Sequence, residues 1–87
     1  MRTPLPQIMA RPYLIPDKVR FIHVYGVPYY IPWEGLLPGY SVFLKTTANA
    51  SEVRKLLKPA ERHFRILLKA HNRVEFGYYG VRIWRLA

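Results

Sequence analysis

A chain of 87 residues, 51% hydrophobic and 15% aromatic, can build one small core but not two, since a chain this short buries only about 60 to 65% of its unfolded surface. The absence of cysteine excludes disulfide staples and thiolate zinc sites, and no apolar run reaches the roughly 18 residues of a membrane-spanning helix. Fourteen Lys and Arg against five Asp and Glu, a net charge of +9, point to an anionic partner, either a nucleic acid or an acidic protein surface.

Residues 1–17 read as an extended arm. Pro4, Pro6, Pro12 and Pro16 stand too close together for a helix or a central strand. The arm is also apolar and is expected to lie on its own domain or on a partner, with Tyr13, Leu14 and Ile15 as its candidate partner-binding anchors. Its broken start lacks the continuous apolar stretch of a signal peptide. The expected location is therefore cytoplasmic, where the Asn49-Ala50-Ser51 sequon carries no meaning.

Residues 18–87 form the expected domain. KVRFIHVY (18–25) is rich in β-branched and aromatic residues and predicts a strand, with Val19, Phe21, His23 and Tyr25 on one side and Arg20, Ile22 and Val24 on the other. Gly26 and Pro28 end it. YYIPW (29–33) is a second extended stretch, followed by the turn GLLPGY. YSVFLKT (40–46) predicts another strand, with Val42 and Leu44 opposite Phe43 and Lys45.

A helix follows, with Asn49 as its cap and Glu52 completing a capping box. Val53, Leu56, Leu57, Ala60 and Phe64 draw one apolar stripe, and Arg54, Lys55, Lys58 and Arg62 lie opposite. Pro59 kinks this helix or restarts it from within a first turn. Beyond Phe64 two readings stand: FRILLKAH continues the helix, or RILLKAH pairs as a strand with YGVRIWRL across a turn within NRVEFGY. Gly35, Gly39, Gly77 and Gly80 are assigned to turns.

Two motifs bear on that choice. Residues 33–43 read Trp33-Glu34-Gly35-Leu36-Leu37-Pro38-Gly39-Tyr40-Ser41-Val42-Phe43, and the chain closes on Gly80-Val81-Arg82-Ile83-Trp84-Arg85. Over residues 30–86 the chain resembles short uncharacterised bacteriophage and prophage proteins that combine W/F-x-x-L-x-P-G-x-S-x-F with a C-terminal G-V-R-I/V-W-R. The resemblance implies a phage or prophage origin, a location in the host cytoplasm or the virion, and a strand after the helix. It implies no activity. The expected fold is α+β: a small antiparallel sheet packed on one basic helix, in the order β-β-α-β-β.

Two clusters are candidate nucleic-acid contacts. On the helix, Arg54, Lys55, Lys58 and Arg62 could meet phosphates, and the alternative is a solvated face. At the C-terminus, Tyr78, Tyr79 and Trp84 with Arg73, Arg82 and Arg85 have the composition of a stacking platform. That platform exists only if Val81 and Ile83 face the helix, which turns Arg82 and Trp84 outward; if Trp84 is a core residue instead, as strand aromatics of small domains most often are, it disappears. His23, His63 and His71 match no standard metal spacing, no cofactor motif is present, and no nucleophile–base set suggests an enzyme. The expected function is nucleic-acid binding, largely without sequence preference. The alternative is docking on an acidic host or virion protein, as an inhibitor of a host nucleic-acid machine or as a structural component.

Overall fold

The computed structural model describes residues 15–87. The architecture is α+β. A helical turn, α1 (Asp17–Arg20), leads into the hairpin β1 (Phe21–Val24) and β2 (Val27–Tyr30), followed by a 3₁₀ turn (Trp33–Gly35) and β3 (Ser41–Lys45). Two short helices, α2 (Ala50–Leu56) and α3 (Lys58–Phe64), precede a long hairpin of β4 (Leu68–Glu75) and β5 (Tyr78–Arg85). The strands divide between two antiparallel sheets, β1-β2 and β3-β5-β4. Of the expected arm, Tyr13, Leu14 and everything before them lie outside the described residues. Ile15 packs against the domain's own core.

The first predicted strand is shorter than KVRFIHVY suggested. Residues 17–20 coil because the Val19 and Arg20 amides both donate to the Pro16 carbonyl, each at 2.8 Å. That turn resets the side-chain alternation, so Val19, Ile22 and Val24 are all buried. Pro28 lies within β2 rather than ending a strand, and it is tolerated there because β2 pairs on one side only.

The helix prediction divides at Leu57. Asn49 caps α2 and the Asn49–Glu52 capping box is complete. Pro59 stands in the first turn of α3, where its missing N–H costs nothing. Arg65 ends α3 in the left-handed conformation, at φ 56°. The chain therefore leaves the helix before Ile66, and the strand begins at Leu68 rather than Arg65.

Val53, Leu57 and Ala60 from the helices meet Leu44, Leu68, Val81 and Ile83 from the three-stranded sheet. Trp33 and Leu36 of the 33–43 segment are buried in the same core, and the Trp33 indole N–H donates to the Val19 carbonyl at 2.8 Å. Full burial of side chains such as Ile31, Leu57 and Ile83 contributes about 1.5 to 3 kcal/mol each. Asn72 fixes α2 on β4, its amide oxygen accepting from the Ala50 N–H at 2.9 Å and its amide nitrogen donating to the Ala48 carbonyl at 3.1 Å.

The Arg20 guanidinium grips both carboxylate oxygens of Glu34 and tethers α1 to the 3₁₀ turn. Its hydrogen bonds hold the Glu34 carboxyl at about 2, below the usual 4.5. A depressed carboxylate contributes its full stability above its unfolded value and loses it as pH falls through the folded one. Urea unfolding should show stability declining from pH 4.5 toward pH 2, and Glu34→Gln should flatten the profile across that window. An unchanged profile in the variant would assign the acid loss to other carboxylates.

Candidate nucleic-acid interface

The register of the three-stranded sheet decides which side chains share its outer face. Val81 and Ile83 are wholly buried against the helices. Their neighbours on the core side are Val42 and Leu44 of β3 and Ala70 and Asn72 of β4. Alternation along each strand therefore places Phe43 and Lys45, Tyr78, Arg82 and Trp84, and Lys69, His71, Arg73 and Glu75 together on the opposite face. The helix α2 meets the sheet from the core side, through Asn72, and this face is turned away from it.

Aromatic rings and cations interleave across it. The Arg82 guanidinium lies 5.5 Å from the Phe43 ring centre, the Lys45 ammonium 3.8 Å from that of Tyr78, and the Arg73 guanidinium 5.9 Å from that of Trp84. His71 meets Trp84 edge-on, with ring centres 5.8 Å apart. Glu75 is the face's single acid, set against Lys45, Lys69, Arg73 and Arg82.

Gly80 makes this packing possible. It lies inside β5 rather than in a turn, and a Cβ there would overlap the Leu44 carbonyl oxygen and the Phe43 ring. The Phe43 ring occupies the space that a side chain at residue 80 would fill. Gly77 does occupy a turn, at φ 81°.

Arg82 is committed internally. Its Nε donates to Glu75 Oε2 at 2.7 Å, its Nη2 donates to the other carboxylate oxygen, and its Nη1 donates to the Ser41 hydroxyl at 2.8 Å. Those bonds hold the Glu75 carboxyl below its usual range and raise the Arg82 guanidinium above its own. Arg82 therefore fixes the platform, and most of its donors are already used. The donors open to a phosphate belong to Lys45 and Lys69, with part of Arg73, whose Nε lies 3.1 Å from Glu75.

The remaining sequence candidates divide. Arg85 stands on the core side of β5 at the strand's end, where it donates to the Leu36 and Ala87 carbonyls, each at 3.1 Å. It does not join the outer face. Tyr79 also lies on the opposite side from Tyr78. On the helices Arg54 is paired with Glu61, whose other oxygen accepts from the Leu68 N–H at 2.9 Å, so Arg54 belongs to the joint between α3 and β4. Lys55, Lys58 and Arg62 are exposed on the far side of the core from the platform.

Phe43, Lys45, Lys69 and His71 were not among the candidates read from the sequence. The opposition of Val42 and Leu44 to Phe43 and Lys45 was visible in the alternation, but the pairing of that strand with β5 was not. A groove of about 690 Å³ between the first hairpin and the helices is lined by Phe21, Ile22, His23, Pro28, Lys55 and Leu56, among others. Among the described residues no three His, Cys, Asp or Glu side chains gather as a metal site, and no helix is long and apolar enough to cross a membrane. No protein-family model, curated protein or solved structure matches this chain.

Proposed function

We propose that the protein binds nucleic acid, largely without sequence preference, through the outer face of the β3-β5-β4 sheet. One observation carries this reading: the sheet face turned away from the core is also the face where aromatic rings and cations alternate. Rings stacked beside exposed ammonium and guanidinium groups meet two needs of a nucleic-acid surface, a π-face for bases and charge for phosphates. Of these rings Tyr78 is 50% exposed, while Phe43 and Trp84 are half-buried with an arginine beside each.

The platform offers few directional hydrogen bonds to base edges, because Arg82 and Glu75 satisfy one another. Binding then rests on stacking and charge, which every sequence supplies. A phage or prophage origin, as the closing motif suggests, fits a small basic protein acting on nucleic acid in the host cytoplasm or the virion. The second reading, docking on an acidic host or virion protein, draws on Lys55, which lines the groove beside the first hairpin, with Lys58 and Arg62 beyond it.

The test is the affinity for oligonucleotides as a function of salt. Log affinity should fall linearly with log salt, at a slope of about −0.7 per neutralised phosphate on single strands. Absence of binding to any nucleic acid at about 50 mM salt, where such contacts are strongest, would remove this reading and leave the protein partner.

A further inference from the structure

The β4–β5 hairpin outruns its sheet. β3 ends at Lys45, opposite Gly80, and residues 74–79 extend past it, with the Thr46 N–H still donating to the Tyr79 carbonyl at 3.2 Å. On that projection Val74 is 62% exposed, Phe76 88%, Tyr78 50% and Tyr79 74%. The turn at its apex is Phe76-Gly77, with φ of 53° and 81°. Two consecutive left-handed residues form the type I′ geometry, in which Asn, Asp or Gly is favoured at the first position and a bulky side chain is strained.

The first hairpin makes the same turn with Tyr25-Gly26, at φ of 53° and 79°. There the aromatic residue has a structural role, since the Tyr25 hydroxyl donates to Glu52 at 3.0 Å and ties the hairpin to α2. Phe76 has no hydroxyl and almost no burial. Its strain and its exposure are both uncompensated within the described fold, and such uncompensated strain is characteristic of functional contacts.

We propose that Phe76 is a ligand contact: its ring stacks on an unpaired base of a single-stranded nucleic acid that runs along the outer sheet face and onto the hairpin tip. This rests on the reading of the sheet face as a nucleic-acid surface. Tyr78 makes the tip continuous with that face, since it stands beside the turn with the Lys45 ammonium 3.8 Å from its ring centre. Arg73 follows two residues below on β4. The tip therefore extends a cationic and aromatic track. A duplex keeps its base faces inside the stack, whereas a single strand presents them to a projecting ring.

Phe76→Asn separates function from structure, because asparagine suits the turn better than phenylalanine. The variant should melt at a higher temperature than wild type and bind a fluorescein-labelled oligothymidylate or oligouridylate about 5- to 100-fold more weakly. Phe76→Tyr keeps the ring and should bind as wild type does. Unchanged single-strand affinity in Phe76→Asn would overturn the inference, as would wild-type affinity for a duplex equal to that for the single strands. Either result leaves the sheet-face reading in place, whereas a wild-type protein that binds no oligonucleotide removes both.

Discussion

Replacing Gly80 with alanine should destabilise the protein by about 3 kcal/mol, at the upper end of the usual cost of overpacking. The added methyl group would overlap the Leu44 carbonyl oxygen and the Phe43 ring. The ring can swing aside, but the carbonyl belongs to the β3–β5 ladder and cannot move without breaking strand pairing. A domain of this size has a total stability of only about 5 to 15 kcal/mol, so the loss is large. Urea unfolding measures it. Gly77→Asn is the control, because asparagine tolerates the left-handed conformation and nothing lies near a Cβ at that position; it should change stability by less than about 1 kcal/mol. Equal losses in the two variants would show that Gly80 matters as a flexible residue and not as a gap for the Phe43 ring. Because the ring is displaced, Gly80→Ala should also weaken nucleic-acid binding under conditions where it remains folded.

The second large effect concerns charge. Lys45→Ala, Lys69→Ala and Arg73→Ala together should lower single-strand affinity on the order of a hundredfold at 50 mM salt and reduce the salt slope by about 2. The three side chains are exposed or half-exposed and none is part of the core, so melting should change little. The matched variant on the other side of the molecule, Lys55→Ala with Lys58→Ala and Arg62→Ala, removes the same net charge. It should retain most of the affinity, losing only the weak long-range attraction that salt screens beyond about 10 Å. Arg54 is left intact because its pairing with Glu61 supports the start of β4. If both triple variants lose affinity equally, net charge governs binding and the sheet face has no special role.

Much of the fold is legible in local sequence, where short-range chemistry sets the structure. The Asn49–Glu52 cap, the restart at Pro59 and the alternation of Val42 and Leu44 against Phe43 and Lys45 each depend on residues within a few positions of one another. Where tertiary contacts decide, the sequence says less. The helical turn before β1 arises from hydrogen bonds to the Pro16 carbonyl, and a strand-like composition hides it. The division into two sheets depends on which strands pair, and neither turn dipeptide, Tyr25-Gly26 or Phe76-Gly77, carries the Asn-Gly or Asp-Gly signal that fixes hairpin register. Without register, Lys69 and His71 cannot be placed beside Trp84, and Gly80 reads as a turn residue when it is the gap under Phe43.

The site was legible in the same partial way. Burial of Val81 and Ile83 turns Arg82 and Trp84 outward, one of the two placements that the alternation left open. Of the arginines read as phosphate contacts, Arg82 bonds Glu75 and Ser41, Arg85 bonds the Leu36 and Ala87 carbonyls, and Arg54 pairs with Glu61. Composition counts a guanidinium as available charge, and only the fold shows which carboxylate or carbonyl already holds it.

The most direct test of the central claim is a map of backbone amide chemical-shift changes as an unlabelled single-stranded oligonucleotide is added to the ¹⁵N-labelled protein. The largest changes are expected at Phe43, Lys45, Lys69, His71, Arg73, Phe76, Tyr78 and Trp84, with little movement at Lys55, Lys58 and Arg62. Changes concentrated on α2 and α3, with the outer sheet face silent, would contradict it.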